Sequence, residues 1–297
     1  MASAFRATLV VGVLALGAGW YFTGPEHINP SEAEGFTPDL ALGETLFYAG
    51  GCASCHSAPG AEGDAKLVLS GGRRFASDFG TFVAPNISPD PVAGIGDWTP
   101  VAFADALLKG TSPDGSHYYP AFPYTSYARM SVGDAISLHV FLGTLPADAT
   151  LSEPHEVGFP FNIRRTLGGW KLLFAPDDWV VDGTLTEVQQ RGRYLVEGPG
   201  HCAECHTPRN ALGGLDTAAW LSGAPSPDGK GRIPDITPGG LDWSEADIAE
   251  YLKSGFTPEY DSVGGEMVAV VENTSHLTDA DRAAIAAYLK IVPASGG

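Results

Sequence analysis

The cysteines restrict this chain more than any other feature of its sequence. There are four, and all of them lie in two segments of the pattern C-x-x-C-H, at 52–56 and 202–206. Two cysteines with this spacing present both sulfurs on one helical turn, and the histidine that follows can reach a metal ion held against that turn. The pattern predicts two covalently bound haem c groups, with thioether bonds from Cys52, Cys55, Cys202 and Cys205.

Two other uses of a C-x-x-C pair fit less well. A structural zinc site needs four converging ligands, whereas each pair here is followed at once by its own histidine in a separate half of the chain. A dithiol redox motif has no need of that histidine. His56 and His206 are therefore predicted to be the proximal iron ligands. Each needs a hydrogen-bond acceptor for its other ring nitrogen, and a backbone carbonyl at Pro59 or Pro208 is a candidate unless these prolines only end the helix.

The sequences around the two motifs are copies of one plan. A glycine-led helical stretch precedes each motif, and a Leu-Ser-Gly turn and a Pro-x-Ile-x-Pro segment follow it. The predicted N-caps of four later helices are Thr99, Ser131, Ser244 and Thr278. Because no segment shows a sustained alternation of apolar and polar residues, the chain is predicted to be all-α. Two tandem domains are expected, at 38–146 and 185–293.

The segment between them, 147–184, matches neither copy. A flexible linker would be polar and rich in glycine and serine. This segment instead has several large aromatic side chains: Phe159, Phe161, Trp170, Phe174 and Trp179. We expect it to pack across the two domains, with a docking surface as the alternative.

The sixth iron ligand distinguishes an electron carrier from an enzyme, because a thioether opposite histidine closes the iron to substrates. Apart from Met1 the chain has two methionines, Met130 and Met267, one in each half. Met267 follows a glycine-rich loop before the last helix and is the predicted ligand of the second haem. Met130 is the predicted ligand of the first, but the position equivalent to Met267 falls near Phe122, which cannot bind iron. His117 or an open site are the alternatives there.

Charge and the N-terminus bear on partners and location. The formal net charge is −18, so a nucleic-acid partner, which needs a basic surface, is not expected. Within residues 1–24, Arg6 precedes an apolar run that ends in Trp20-Tyr21-Phe22. The run is near the lower length limit for a membrane span, and interfacial aromatic residues fit an anchor better than a cleavage site. We expect a single N-terminal membrane anchor, with a removed signal peptide as the alternative.

The chain resembles the membrane-anchored dihaem and trihaem cytochromes c of bacteria, including the cytochrome c subunits of periplasmic alcohol, aldehyde and gluconate dehydrogenases. The resemblance spans about residues 40–292 and depends on segments 50–56, 85–89, 117–127 and 202–210. It implies that each half is a class I cytochrome c domain whose N- and C-terminal helices cross near a largely buried haem. Many relatives have Ala-Met-Pro-Tyr where this chain has Ala-Phe-Pro-Tyr at 121–124. Phe122 stands in place of that methionine, which again leaves the distal ligand of the first haem open.

Together these features predict an electron carrier rather than a catalyst, tethered to the bacterial cytoplasmic membrane with its haem domains on the periplasmic side. Electrons would enter from a dehydrogenase or a quinol-oxidising complex and leave to a terminal oxidase or a soluble cytochrome. The alternative is a dihaem redox enzyme, of the peroxidase or thiosulfate-oxidising type, with an open or displaceable site at the first haem. In either case the protein would position the haems and tune their potentials.

Overall fold

A computed structural model describes residues 12, 14, 17–226, 229 and 231–294 of the chain. After a helical stretch at 17–22, the α-helices are α1 (Leu40–Ala49), α2 (Cys52–His56), α3 (Pro100–Lys109), α4 (Tyr124–Tyr127), α5 (Val132–Leu142), α6 (Leu167–Phe174), α7 (Glu187–Glu197), α8 (Ala203–His206), α9 (Glu245–Ser254), α10 (Met267–Thr274) and α11 (Asp279–Leu289). The strands are β1 (Arg74–Ser77), β2 (Gly80–Val83), β3 (Ala224–Pro225) and β4 (Arg232–Ile233).

The two strand pairs show that the prediction of an all-α chain is wrong in one respect. β1 pairs antiparallel with β2, and β3 with β4, so each half has one small hairpin at the same place in the repeat. The strands are four residues long in the first half and two in the second. Such short strands contain too few residues for an alternating pattern to be visible in the sequence.

The predicted starts of four helices are confirmed. The side chains of Thr99 and Thr278 accept hydrogen bonds from backbone N–H groups three residues later. Ser131 and Ser244 each form a capping box with an aspartate. These bonds satisfy N–H groups that a helix leaves without a partner in its first turn.

A close crossing of two helices organises each half. Gly43 of α1 lies against the backbone of Ser137 in α5, and Gly192 of α7 lies against the backbone of Ala284 in α11. A Cβ atom at either glycine would collide with the facing carbonyl oxygen. The glycine-led stretches of the sequence are therefore the points where the first and last helices of each half touch.

Each half has its own hydrophobic core. The first is built around Leu46, Phe47, Leu69, Leu107, Leu138 and Leu142. The second is built around Leu195, Leu221, Ile248, Ile285, Tyr288 and Leu289. Tyr194 packs against both cores, and its hydroxyl donates a hydrogen bond of 2.8 Å to Asp134. The halves are therefore in direct contact rather than separated by a linker.

The segment 147–184 packs on both halves, as expected from its aromatic content. In the first half, Asn86 Nδ2 donates to the carbonyl oxygens of Asp148 and Thr150, at 2.8 Å each. In the second half, Trp170 Nε1 donates to the carbonyl of Leu212 at 2.8 Å. The segment therefore adds contacts to each half, although several of its apolar side chains remain exposed.

The described chain is joined to the first half at its N-terminal end. His117 Nε2 donates to the carbonyl of Thr23 at 3.0 Å, and Arg165 donates to the carbonyl of Trp20. The predicted anchor, residues 1–24, lies mostly outside the described residues. Within the described part of the chain, no helix is long and apolar enough to cross a membrane.

Buried tyrosines give the fold a predictable response to high pH. Burial raises the pKa of Tyr118 to about 12 and raises the pKa values of Tyr124, Tyr127, Tyr194 and Tyr288. A raised pKa leaves stability intact below the unfolded value, near pH 10, and removes it above that pH, where the unfolded chain binds fewer protons. The free energy of unfolding should fall by up to about 1.4 kcal/mol per pH unit for each such tyrosine.

Urea denaturation between pH 8 and pH 11 would measure this fall, and Tyr124→Phe provides the control. The Tyr124 hydroxyl is buried and has no hydrogen-bond partner among the described residues. Its removal should therefore leave stability near neutral pH unchanged or higher. Above pH 10 the variant should lose less stability per pH unit than the wild type, and equal slopes would contradict the interpretation.

Candidate haem-attachment sites

The cysteines of α2 and of the α8 segment occupy matching environments. Cys52 and Cys202 are half-buried, whereas Cys55 and Cys205 have exposed surface. Burial raises the pKa of Cys52 and of Cys202 to about 12. Burial therefore disfavours the thiolate form of the first cysteine in each pair. The first cysteine of each pair faces the core and the second faces the surface.

The histidine of each motif is held through one ring nitrogen. His56 Nδ1 donates to the carbonyl of Pro85 at 2.8 Å, and His206 Nδ1 donates to the carbonyl of Pro234 at 2.8 Å. Burial lowers the pKa of both rings, which favours the neutral form. With the proton on Nδ1, the lone pair of Nε2 is free to bind iron. The acceptors are therefore Pro85 and Pro234 rather than Pro59 and Pro208, the candidates from the sequence.

Residues far from each motif in sequence hold the carbonyl groups of Pro85 and Pro234 in place. In the first half, Gly71 N donates to the carbonyl of His56 at 2.7 Å, and Ile87 N donates to the carbonyl of Leu69 at 3.0 Å. The second half repeats both bonds, between Gly223 and His206 (2.7 Å) and between Ile236 and Leu221 (3.0 Å). In each half, the Leu-Ser-Gly segment is therefore bonded both to the histidine and to the Pro-x-Ile-x-Pro segment. The hairpin connects these two segments.

In the first half, Met130 is near the attachment site. It is buried in the same core as Ala53 and Leu69, and Cys52 packs against that core. Burial raises the pKa of Tyr127, and Cys52 and Cys55 lie close enough to add to the effect. The segment from Tyr127 to Met130 thus borders the first pair of cysteines. Phe122 also packs against this core, beside Tyr127.

His117 is oriented elsewhere. Its ring is buried, its Nε2 bonds to Thr23, and its Nδ1 has no partner in the described part of the chain. Its Nε2 also lies 3.4 Å from the guanidinium of Arg165. His117 is not part of the core that contains Met130. The structure brings His117 to the N-terminal end of the described chain rather than to Cys52.

In the second half, Met267 is the first residue of α10 and is half-buried. The preceding residue, Glu266, is close enough to Cys55 and Cys205 for its charge to contribute to raising the pKa of both thiols, an effect in which burial is the larger cause. The start of α10 therefore borders both attachment sites. The segment before the last helix is predicted to be a loop. It is a loop up to Glu266 and a helix from Met267 to Thr274.

The two attachment sites also lie close to each other. Burial raises the pKa of the Cys55 thiol, and Cys205 contributes to that rise. Glu204, between the cysteines of the second motif, accepts hydrogen bonds from the side chains of Thr125 (3.1 Å) and Ser126 (3.3 Å) in the first half. Arg209 pairs with the same carboxylate. Sequence reasoning missed Glu204, because no local pattern signals a partner 79 residues away.

A second group of contacts joins α10 to the first attachment site. Asn273 Nδ2 donates to Ser54 Oγ at 2.9 Å, between the cysteines of the first motif. The rings of Tyr48 and His276 are stacked, with centroids 3.8 Å apart. Arg73 pairs with Glu266 at 3.0 Å. Each motif is therefore in contact with the other half of the chain.

These sites define a protein of the cytochrome c class, because two C-x-x-C-H segments each offer paired sulfurs and an imidazole with a free Nε2. The cytochrome c family model matches residues 189–292. The chain is 58% identical over 294 residues to a dihaem c-type cytochrome of Cereibacter sphaeroides, across 99% of each chain. The chain belongs to this family of dihaem cytochromes c, and its two haem c groups are bound covalently through the two cysteine pairs.

Other relatives are subunits of larger enzymes. The chain is 38% identical to the fructose dehydrogenase cytochrome subunit of Gluconobacter japonicus, across 97% of this chain and 59% of that one. It is 36% identical to the gluconate 2-dehydrogenase cytochrome c subunit of Pantoea cypripedii, across 84% and 58%. The chain therefore spans somewhat more than half the length of these dehydrogenase subunits.

Proposed function

We propose that this dihaem cytochrome is a membrane-tethered periplasmic electron carrier. It would accept electrons from a dehydrogenase or a quinol-oxidising complex and pass them to a terminal oxidase or a soluble cytochrome. The observation that carries this proposal is that each attachment site contacts the other half of the chain: Glu204 of the second motif bonds to Thr125, and Ser54 of the first motif bonds to Asn273. Two cofactors attached that close together suit transfer between them within one chain. The names of the dehydrogenase cytochrome subunits support a dehydrogenase as the donor.

Two domains, 38–146 and 185–293, would each hold one haem. Separate hydrophobic cores support this division. In the first domain His56 and Met130 would bind the iron, and in the second His206 and Met267 would do so. Bound haem would supply a one-electron iron couple, whose potential a thioether ligand would raise.

The chain's own residues would set the properties of each site. The carbonyl groups of Pro85 and Pro234 fix the orientation of the proximal rings and strengthen them as ligands. The core side chains around Met130 would keep water away from an iron held at the first site.

The tether would be the apolar run within residues 1–24. Its sequence supports this, since Arg6 precedes the run and interfacial aromatic residues end it. The described chain begins beside these aromatic residues and is joined to the first half at Thr23. A tether at this point would keep both haem sites at one side of the membrane.

The carrier role can be tested in membranes of the bacterium that makes this protein. Haem absorption would be recorded after addition of alcohols, aldehydes, sugars, gluconate or a quinol, each with and without oxygen. We expect at least one of these reductants to reduce both haems, and oxygen to reoxidise them. If none does so, the protein is not a carrier between these systems. A high-spin haem that binds cyanide rapidly would instead favour the enzyme alternative.

The distal ligand of the first haem gives a sharper test. Met130→Ala should abolish the first haem's share of the weak absorption band that reports sulfur–iron bonding, and should lower that haem's potential by on the order of 0.1 V. The matched control is Phe122→Leu, which changes the neighbouring core residue but should keep the band. An unchanged band in Met130→Ala would show that Met130 is not a ligand.

A further inference from the structure

One face of the molecule exposes apolar side chains where the N-terminal end of the described chain meets α6. Trp20, Tyr21, Phe22, Leu172 and Leu173 are between 62% and 79% exposed. We call these five residues the N-terminal face. Gly168 of α6 lies against the backbone of Thr23. This contact joins the two parts of the N-terminal face, residues 20–22 and residues 172–173. Exposed apolar residues clustered in this way mark an interaction surface, whereas scattered ones need no explanation.

Two arginines border the same face. Arg165 lies over the ring of Trp20, with its guanidinium carbon 4.4 Å from the ring centroid, and Arg164 lies over Tyr119 at 5.0 Å. Neither forms an ion pair with a carboxylate in the described part of the chain. Eight other basic residues do: Lys66, Arg73, Arg74, Arg129, Arg191, Arg209, Lys253 and Arg282. The N-terminal face thus has positive charge that is offset only in part, by Asp114 near Arg164, in a chain whose net charge is −18.

A pocket lies between the arginines and the aromatic residues. It has a volume of about 470 Å³ and is lined by Trp20, Tyr21, His117, Arg164 and Arg165, among others. Two guanidinium groups beside such a pocket offer the positive charge and the N–H donors that bind a phosphate group. Tryptophan and tyrosine are the residues that favour the headgroup region of a bilayer. Apolar side chains, aromatic rings and arginines therefore occur together as they do on membrane-bound surfaces.

We propose that the N-terminal face lies on a bilayer of anionic phospholipid, with a lipid phosphate between Arg164 and Arg165. This rests on the proposed membrane tether and adds the surface that contacts the lipid. Charge complementarity selects the lipid: an anionic bilayer repels the acidic remainder of the chain and attracts this face. The apolar run of the sequence also leads into the face at Trp20. The contact would hold the two haem sites in one orientation above the membrane.

A spin label on α6 can test the proposal in the full haem-loaded chain. Because the four native cysteines hold the haems, Leu172→Cys can be labelled alone with a nitroxide. The protein would be inserted into phosphatidylglycerol liposomes with both haems ferric, and each label would be measured with and without the relaxing agent, so that the constant effect of the haems cancels. We expect the label at 172 to be reached more readily by oxygen, which dissolves in lipid, than by a polar nickel chelate. A label at Val92→Cys, a position 84% exposed, should show the opposite order.

A charge reversal tests the role of the arginines. Arg164→Glu should make the label at 172 several-fold more accessible to the nickel chelate, whereas the matched Arg232→Glu, on exposed β4, should not. Arg164→Gln gives the same direction with a smaller change if the reversal disturbs folding, which haem absorption would reveal. Liposomes of phosphatidylcholine should give a weaker contact than phosphatidylglycerol.

The outcomes separate the face from the tether. If the protein does not float with liposomes at all, the proposed tether is wrong, and the lipid contact of the N-terminal face, which rests on it, is wrong too. Flotation with a label at 172 as accessible to nickel as the label at 92 would overturn the lipid contact alone. Protection of position 172 only when a purified dehydrogenase is added, and not with lipid, would make the face a protein-docking surface and also overturn the proposal.

Discussion

Alanine at Gly71 should destabilise the protein by about 3 kcal/mol or more. Gly71 has φ +78°, a region that disfavours any side chain, and a Cβ atom there would lie 2.6 Å from the carbonyl oxygen of Ala84 and the carbonyl carbon of Pro85. This is the segment whose carbonyl orients His56. Displacing it should weaken the ligand, so that the potential of the first haem rises while that of the second stays unchanged.

Gly60 separates the two causes of this effect. It has nearly the same backbone angle, φ +79°, but a Cβ atom there would meet nothing within 4 Å. Gly60→Ala should therefore cost only about 1–2 kcal/mol and leave both potentials unchanged. Urea denaturation and a potentiometric titration of both variants make the comparison. Equal losses of stability would mean that the contact with the Pro85 segment is not important.

Glu197→Gln should lower the free energy of unfolding by about 3 kcal/mol. The Glu197 side chain is fully buried and accepts hydrogen bonds from the backbone N–H groups of Val180 (2.7 Å) and Val181 (3.1 Å) and from the Tyr288 hydroxyl. Arg129 lies 3.5 Å away. An amide would direct N–H donors at groups that are themselves donors. The loss should loosen segment 147–184 from the second half and shift Arg129, which precedes Met130.

The same substitution at the other end of α7 is the control. Glu187 is exposed and lies in the first turn, so that Glu187→Gln should cost less than about 1 kcal/mol. Denaturation followed by circular dichroism gives both values, and the sulfur–iron band reports any movement of Met130. Similar costs for the two variants would show that the buried carboxylate contributes little.

Local patterns made a large part of the fold predictable. Thr99, Ser131 and Ser244 cap helices because the hydrogen-bond partner of each lies within three residues, a distance that the sequence displays directly. The C-x-x-C-H spacing identified the attachment residues for the same reason. The repeat also placed Pro85 and Pro234 in matching positions. It did not show that their carbonyl groups accept hydrogen bonds from His56 and His206.

What the sequence did not show depends on contacts between distant residues. Pro85 reaches His56 across 29 residues because the hairpin folds the chain back, and the hairpin itself is too short to leave a pattern. Glu204 was overlooked because an acidic residue between two cysteines looks like a solvated one until Thr125 and Ser126 are placed beside it. Buried partners of this kind are set by tertiary packing, not by local propensity.

The contacts between the halves have the reciprocity of a homodimer with two-fold symmetry. The segment before Met130 reaches the second motif at Glu204, while α10, which begins at Met267, reaches the first motif at Ser54. In an isologous dimer, likewise, the same patch of each subunit meets its counterpart. A duplicated one-haem protein that once paired with its own copy would leave such an arrangement. Neither half, taken alone, would then have a complete environment for its haem.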